Sequence, residues 1–267
     1  MRLTAASLVL AFAGCASAER AEPVARVLVF NIHAGKDAGG TPNLDGVAEL
    51  IRTTSADVVL LQEVDRITFR SGGVDQVAEL ARLTGYATAF GRSLDYDGGL
   101  YGIAALSRER IGNAATESLP IQPPQARSGG SYEPRAALTF ATTTRLGVVQ
   151  AVNTHLDASR EDHYRVQESA HILQLVTRIA AGRGGPVIAG GDFNAEPGSR
   201  TYEQLVAGGL RDAWKECGAG DGFTYPADNP IKRIDYLFLT ASLGCSHAEV
   251  IDTRVSDHRP LLITLTR

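Results

Sequence analysis

The chain has 267 residues, of which 44% are hydrophobic and 21% charged, and its formal net charge is -4. An apolar content near the globular average excludes a disordered tail, a coiled coil and a collagen-like fibre, and the length is sufficient to bury a large core. The slight acidity argues against a protein that holds nucleic acid mainly by charge, because such proteins carry a basic surface that displaces counterions from phosphates.

The N-terminus has the pattern of a secretory signal. Arg2 precedes an apolar stretch from Leu3 to Gly14, and residues 16–18 are small residues at the spacing that signal peptidase recognises. The apolar run falls short of the roughly 20 residues that cross a bilayer. We therefore expect residues 1–18 to be a signal peptide and the protein to be exported, either periplasmic or secreted. The alternative is a lipoprotein anchored through Cys15, because the sequence up to Cys15 ends like a lipobox.

Removal of the signal leaves two cysteines, Cys217 and Cys245. An exported protein can form disulfides, so a bridge between these residues is one expectation. Two unrelated buried thiols are the other, because pairing depends on the separation of the Cα atoms. Neither cysteine has a CxxC partner or a histidine at zinc spacing, so no thiol metal site is expected.

Short apolar runs alternate with amphipathic stretches along the rest of the chain. In chain order, the predicted elements are a strand at Val27–Asn31, a helix at Asp45–Arg52, a strand at Val58–Gln62, a helix at Val74–Leu83, strands at Ile103–Ser107, Ala136–Phe140 and Val148–Asn153, a helix at Arg160–Ala181, a strand at Val187–Ala189, a helix at Thr201–Val206, and strands at Ile234–Leu239 and Leu261–Leu265. Ser159, followed three residues later by Asp162, predicts the cap of the longest helix. The segment Pro120–Pro134 is interpreted as a surface loop inside one domain that spans residues 26–267.

Polar residues able to bind metal or move protons follow five of the apolar strands. They are Asn31, Glu63, His155, the pair Asp192 and Asn194, and the pair Asp257 and His258. Strand ends that converge can hold several side chains rigidly around one reacting atom. The acids and amides offer hard oxygen ligands, which suit Mg²⁺, Mn²⁺ or Ca²⁺, and the histidines can exchange protons near neutral pH.

Each of these motifs also has a purely structural interpretation. Asn31 and Asn153 could satisfy backbone groups at strand ends, Gly-Asp-Phe-Asn could be a turn, and Asp257 with His258 could be a loop ion pair. Glu63 is more informative, because an acidic group at the tip of a buried strand is costly unless it is paired or metal-bound. The structural interpretation must hold independently at all five places, so together the motifs favour a functional site.

The motifs LQEV, NTHLD, GGDFNAEP, RIDYLF and SDHRP, in this order, resemble the endonuclease/exonuclease/phosphatase superfamily of metal-dependent phosphoesterases, which have a DNase I-like fold. The resemblance extends from about Arg26 to the C-terminus. It implies an α/β fold: a four-layer sandwich of two packed, mainly antiparallel β-sheets flanked by helices. Ile103 stands where a common family pattern has asparagine, which removes one expected polar contact with substrate.

The resemblance also implies roles for individual residues. Asn31, Glu63 and Asp257 would bind the metal, with Glu63 as the principal ligand. The remaining candidates would act on substrate and water: they are His155, Asp192, Asn194, Asp235 and His258 as catalytic residues, and Tyr132 and Arg135 as substrate-binding residues.

Within this set, Asp192 and Asn194 would position the attacking water and the phosphate, and His155 and His258 would contact the scissile phosphate. Asp235 would orient His258, since a carboxylate that accepts a ring N–H fixes the tautomer of the imidazole. The base that activates water is either Asp192 or His258 backed by Asp235. For Arg135 the alternative is a surface ion pair with Glu133.

The sequence therefore predicts an exported, Mg²⁺-dependent phosphoesterase, with Mn²⁺ or Ca²⁺ as alternatives, that hydrolyses a phosphodiester by in-line attack of activated water. Other substrates would make it a nuclease for DNA or RNA, a sphingomyelinase-like lipid phosphodiesterase, or a sugar or inositol phosphatase. An alternative of another class is a catalytically silent binding protein on the same fold. The expected partner is a phosphate ester, whether small molecule, lipid headgroup or nucleic acid. A monomer is expected, with no stable membrane insertion unless Cys15 is lipidated.

Overall fold

Two six-stranded β-sheets packed face to face form the centre of the computed structural model, which describes residues 24–123 and 133–267. In spatial order, the first sheet consists of Gly244–Val250 (β11), Leu261–Thr266 (β12), Ala25–Asn31 (β1), Val58–Arg66 (β2), Gly99–Ser107 (β4) and Ala87–Tyr96 (β3). The second consists of Ile111–Leu119 (β5), Arg135–Thr144 (β6), Gly147–His155 (β7), Val187–Asp192 (β8), Asp235–Leu239 (β10) and Arg211–Asp212 (β9).

Helices cover the outer faces of both sheets. In the described part of the chain they are Leu44–Thr54 (α1), Gln76–Thr84 (α2), His163–Arg183 (α3) and Arg200–Ala207 (α4), whereas the short Ala213–Cys217 (α5) packs against the apolar layer between the sheets. Each sheet contains one parallel pair, β1 with β2 and β7 with β8, and its other pairs are antiparallel. Parallel neighbours need a crossover, which α1 provides in the first sheet and α3 in the second.

Three separate apolar clusters lie between the four layers. The middle cluster joins the inner faces of the two sheets, and a further cluster lies under the helices of each sheet. In β1, Val27 and Val29 face the other sheet, whereas Leu28 and Phe30 face α1 and α2. Both faces of the central strands are therefore buried, which explains why they are continuous apolar runs. The predicted four-layer α/β sandwich is confirmed.

The prediction from sequence missed the strands at the sheet edges. β5 is exposed along most of its length, and β3 is only partly buried, so neither has the apolar pattern of a central strand. β9 and α5 are too short to show a periodicity, and β11 also lies at an edge. The elements that were predicted all exist, with ends displaced by a few residues.

The N-terminus of α3 differs from its prediction. The helix begins at His163 after Asp162, and no side chain caps it. The Ser159 hydroxyl instead donates to the Asp157 carboxylate, in the loop before the helix. The predicted capping pattern is therefore wrong, because Ser159 satisfies a local loop acceptor rather than the first turn of the helix.

Several predictions from sequence fall wholly or partly outside the described residues. The signal peptide at residues 1–18, Cys15 and Tyr132 are among them, and of the predicted loop only 120–123 and 133–134 are described, without regular structure.

Among the described helices, none combines the length and apolarity needed to cross a membrane. Cys217 and Cys245 form a disulfide with Cα atoms 5.9 Å apart, which ties α5 to β11.

Candidate active site

The two parallel strand pairs bring their carboxyl ends together at one edge of the sandwich. β1 and β2 supply Asn31 and Glu63 from the first sheet, and β7 and β8 supply His155 and Asp192 from the second. A pocket of about 690 Å³ opens there and is lined by residues of both sheets and of the loops beyond them. Its size is within the range of small-molecule sites.

The sequence predicted that Glu63 follows the end of its strand, but the structure places it within the strand, because β2 continues to Arg66. The pairing of β2 with β4 slips between Leu61 and Val64, and Glu63 has a φ of 55° in the left-handed region. This bulge turns the Glu63 side chain out of the pleat and into the pocket. A non-glycine residue in this conformation is strained, and such strain is typical of functional positions.

Asn31 connects the two sheets within the site. Its Nδ2 donates to Glu63 Oε1 and to Asp192 Oδ2, both at 3.1 Å, and its Oδ1 accepts the backbone N–H of His33. The amide thus fixes two carboxylates from different sheets relative to each other. Direct ligation of a metal by Asn31 stays a prediction.

His258 lies between two buried carboxylates. Its Nδ1 is 2.9 Å from Asp235 Oδ2, as the resemblance had implied, and its Nε2 is 3.7 Å from Asp192 Oδ2. Asp235 and Asp192 face each other across the antiparallel pair of β10 and β8. The ring of Tyr225 packs beside the imidazole with centroids 4.7 Å apart. These contacts fix the ring orientation of His258.

The charges of this group depend on each other. Burial disfavours the imidazolium, but the charge and hydrogen bond of Asp235, followed by Asp192, outweigh it and raise the pKa of His258 to about 10. Burial, together with the charge of Asp235, raises the pKa of Asp192 to about 7. His258 is therefore the charged histidine of the site, whereas Asp192 is a stronger base than an exposed aspartate.

His155, at the end of β7, differs from His258 in its charge. Burial, followed by Arg135 and His258, lowers its pKa well below 6.5, so the ring is neutral. Its Nε2 lies 3.0 Å from the Asn194 amide nitrogen and 3.6 Å from Asp192 Oδ2. Asn194 also donates to the Leu156 carbonyl. This arrangement makes Nε2 the acceptor and leaves the ring proton on Nδ1.

Arg135 begins β6 and lines the same pocket. The alternative of an ion pair with Glu133 is correct as to the partner, 3.6 Å away, but the pair is buried and not on the surface, because the two side chains are only 2% and 9% exposed. Ile103, which stands where a common family pattern has asparagine, belongs to the apolar core between the sheets. Asn153 has the structural role considered for it, since it satisfies the carbonyls of Leu61 and Ala104.

Sequence reasoning missed several residues of the pocket wall. They include Arg70, Tyr96, Arg165 and Tyr225. Each comes from a loop, a helix or an edge strand, away from the motifs that carried the prediction. The residues 70–73, arginine and serine before two glycines, were the only local signal, and they indicate no more than a turn.

Known proteins of one family match this chain over most of its length. The model of the Endonuclease/Exonuclease/phosphatase family matches residues 28–258. The uncharacterized protein YbhP of Escherichia coli strain K12 is 28% identical over 247 residues, which cover 88% of this chain and 94% of YbhP. The inositol phosphosphingolipids phospholipase C of Schizosaccharomyces pombe is 30% identical over 210 residues, which cover 74% of this chain and 47% of that protein. A crystal structure of an endonuclease/exonuclease/phosphatase from Beutenbergia cavernae superposes with a TM-score of 0.76 at 26% identity, covering 91% of this chain and 72% of that chain.

The chain therefore belongs to the endonuclease/exonuclease/phosphatase family, and the resemblance found in its motifs is confirmed. Members of the family are hydrolases that act on phosphoesters, and they generally depend on a divalent metal.

The donor atoms of the pocket fit such a metal. Glu63 and Asp257 both line the pocket, and Asp257 is 31% exposed beside His33. Carboxylate oxygens suit Mg²⁺, Mn²⁺ or Ca²⁺. Among the described residues, the ligand atoms of Asp192, Asp235 and His258 also lie within 4.8 Å of one another. His258 already uses Nδ1 for Asp235, so this trio is better suited to moving a proton than to holding a cation.

Proposed function

We propose that this protein is a Mg²⁺-dependent phosphodiesterase that hydrolyses its substrate by in-line attack of an activated water. The observation that carries the proposal is the buried trio of Asp192, His258 and Asp235 beside Glu63 in one pocket, in which His258 is hydrogen-bonded to Asp235 and ion-paired with Asp192. A carboxylate that can accept a proton, a charged histidine and a carboxylate cluster for a cation are the groups that phosphoester hydrolysis needs.

The cation would be held by Glu63 and Asp257, with Asn31 positioning or joining them. When bound, Mg²⁺ supplies charge neutralisation at the phosphate oxygens and the leaving oxygen, and Mn²⁺ or Ca²⁺ are the alternatives. Asn31 keeps Glu63 and Asp192 at a fixed separation through its two hydrogen bonds. The cluster therefore needs little reorganisation when substrate and cation arrive.

Asp192 is the base in this proposal. The imidazolium of His258, held between two carboxylates, carries protons on both ring nitrogens and cannot accept another one, whereas the Asp192 carboxylate lines the pocket and can accept one. Asp192 takes the proton of the attacking water, and His258 donates to a phosphate or leaving oxygen. Neutral His155 and the Asn194 amide orient the water and the phosphate. The products are a phosphomonoester and an alcohol.

A phospholipid-type diester is the first substrate class to test, because the relative from Schizosaccharomyces pombe is named for that activity. Nucleic acid and phosphate monoesters are the second and third. Export forms part of the proposal as well, and the disulfide between Cys217 and Cys245 supports it, because such bridges persist in oxidising compartments.

Turnover of bis(p-nitrophenyl) phosphate tests the proposal. We expect EDTA to abolish turnover and Mg²⁺ to restore it. Asp192→Asn and His258→Asn should each lower kcat/KM by about 100-fold or more, because each removes a group that transfers a proton. Matched controls are Asp228→Asn and His247→Asn, which change exposed residues outside the pocket.

Activity that survives EDTA, or that is unchanged in both Asp192 and His258 variants, contradicts the mechanism. Absence of turnover with every substrate of a panel favours the silent binding protein. That panel comprises plasmid DNA, RNA, sphingomyelin, phosphatidylinositol and inositol phosphates.

A further inference from the structure

Arg70 is held rigidly in the wall of the pocket by a carboxylate that no solvent reaches. Its Nε and Nη2 donate to the two oxygens of Asp65 at 2.7 and 2.8 Å. Asp65 is fully buried, whereas the Arg70 side chain is 29% exposed. The guanidinium also lies over the rings of Tyr96 and Tyr101, at 4.6 and 5.3 Å from their centroids.

This arrangement leaves one side of Arg70 for a ligand. The paired Nε and Nη2 face Asp65, and within residues 24–123 and 133–267 no hydrogen bond is formed by Nη1. The ring contacts and the two-bonded ion pair fix the guanidinium, so binding there would cost little side-chain entropy. An immobilised guanidinium with a free N–H edge fits an anionic oxygen group.

Arg135 is a second incompletely paired guanidinium in the same wall. Only 3% of its surface is exposed, and its Nε and Nη1 have no hydrogen-bond partner in the described part of the chain. Its nearest carboxylate oxygen, on Glu133, is 3.6 Å away. A buried cation with unpaired donors is costly unless a ligand completes its hydrogen bonds.

Tyr101 lines the pocket with both arginines. Its ring lies under Arg70, and burial, followed by the charge of Glu63, raises the pKa of its phenol against the opposing charges of Arg135 and Arg70. All three residues line the pocket that also contains Glu63 and His258. The pocket volume of about 690 Å³ is larger than a single phosphate needs, so a substrate can reach both regions.

We propose that Arg70 and Arg135, which line the pocket together with Tyr101, form a subsite for a second anionic group of the substrate, next to the reacting phosphate. The inference rests on the proposed function, because it uses the same pocket. It narrows the substrate class to phosphate esters of an alcohol that carries a further phosphate, such as a phosphorylated polyol. The source of that chemistry is a free phosphorylated alcohol or a lipid headgroup.

Competition with two probes that differ by one phosphate tests the subsite. Inositol 1,4-bisphosphate and inositol 1-phosphate are compared as inhibitors of bis(p-nitrophenyl) phosphate turnover in the presence of Mg²⁺. We expect the bisphosphate to inhibit the wild-type protein at least about tenfold more strongly, and the ratio of inhibition constants to fall to about one in Arg70→Gln. The ratio is insensitive to a general loss of activity.

Arg66→Gln is the matched control. Arg66 makes the same kind of two-bonded pair, with Asp75, and lies over the ring of Phe90, but it is not part of the catalytic pocket. Its substitution should leave the ratio of inhibition constants unchanged. A ratio near one in the wild-type protein, or an unchanged ratio in Arg70→Gln, overturns the proposal.

A second variant and a second readout guard against misfolding and against failure of the proposed function. Arg70→Gln removes the cation that balances the buried Asp65 and leaves it the Thr68 hydroxyl as a donor, so the double variant Asp65→Asn with Arg70→Met removes both charges and should lose the preference as well. Calorimetry with the two inositol phosphates measures the preference without turnover. Hydrolysis of a substrate without preferential binding of the bisphosphate contradicts the subsite but not the phosphoesterase function. Preferential binding of the bisphosphate without hydrolysis of any substrate contradicts the phosphoesterase function but not the subsite.

Sedimentation with phosphatidylcholine vesicles, with and without phosphatidylinositol 4-phosphate, separates the two sources. Binding to the vesicles that depends on Arg70 identifies a lipid headgroup. Binding of the soluble probe alone that depends on Arg70 identifies a free phosphorylated alcohol. Binding that is independent of Arg70 in both measurements overturns the subsite.

Discussion

Asp235 and Asp192 face one imidazole from opposite sides, yet only Asp235 forms a short hydrogen bond with it. We expect Asp235→Asn to lower kcat by about 100-fold or more while KM changes little, because the side chain positions His258 and stabilises its charge without touching substrate. Steady-state kinetics with bis(p-nitrophenyl) phosphate measure this split. A change confined to KM would show that Asp235 contributes to binding instead.

Glu168 is a buried acid that the proposed mechanism does not use. Its Oε2 accepts the Asp157 N–H at 2.8 Å, and its Oε1 has no partner among the described residues. Burial, which outweighs the Asp157 hydrogen bond and the charge of Arg135, raises the pKa of Glu168 to about 7. In the folded protein the group therefore keeps its proton over a range of pH in which the unfolded chain has lost it.

The raised pKa of Glu168 makes the stability of the folded protein depend on pH. Between the ordinary glutamate pKa of about 4.5 and the folded value of about 7, the folded state binds more protons, so the free energy of unfolding falls as pH rises. Glu168→Gln, which mimics the protonated acid, should match the wild-type protein near pH 4 and exceed it in Tm near pH 8. Thermal melts at both values of pH test this, and a Tm difference that does not change with pH contradicts it.

The residues of the candidate site could be predicted from sequence because each belongs to a polar motif at the end of an apolar strand or shortly before the next one, as His258 does before β12. Asn31, Asp192 and His258 are examples, and the structure brings all three together. Arg70 and Tyr225 could not be found in this way, because nothing in their local sequence distinguishes a pocket wall from an ordinary loop. Their placement depends on contacts between segments far apart in the chain.

At the level of the elements, the bulge in β2 is held by a polar bridge between the sheets. Asn153 of β7 donates to the carbonyls of Leu61 and Ala104 at 3.0 and 2.8 Å, and its Oδ1 accepts the Gln62 side chain at 2.7 Å. All of these groups are buried. The bridge fixes the backbone immediately before Glu63.

Asn153→Ala should therefore affect stability and activity together. It removes three buried hydrogen bonds, so we expect the free energy of unfolding to fall by about 3 kcal/mol or more. We also expect kcat/KM to fall by about tenfold, because the Glu63 carboxylate is no longer held in place. Urea unfolding and kinetics measure the two effects, and Asn229→Ala at an exposed position is the control. Full activity in a folded Asn153→Ala protein would contradict the role of the bridge.

Central strands were predictable and edge strands were not, for a physical reason. β1 and β8 are buried on both faces, so their sequences are dominated by small and apolar residues. β5 faces solvent along residues 113–116, where its sequence is polar or small. The bulge at Glu63 was also unpredictable, because it arises from pairing with β4 and from the bridge to β7.

At the scale of the whole molecule, the disulfide joins the two halves of the sandwich. Cys217 lies in α5, beside the second sheet, and Cys245 lies in β11 of the first sheet. The loop that it closes spans a sequence separation of 28 residues, which corresponds to about 3.6 kcal/mol of stabilisation in the chain-entropy model.

We expect the double variant Cys217→Ser with Cys245→Ser to lose about this amount of stability. Denaturant unfolding measures the loss, and the wild-type protein in a strong reductant is the matched comparison. Equal stability of the oxidised and reduced proteins would contradict a structural contribution of the bridge.

Because the site is divided between two sheets, the rate of turnover depends on how those sheets are aligned. Neither sheet contains the complete set, since Glu63 and His155 belong to different sheets and Asn31 of the first sheet bonds across to Asp192 of the second. Substitutions in the apolar layer between the sheets, far from the pocket, will therefore alter turnover whenever they let one sheet slide on the other.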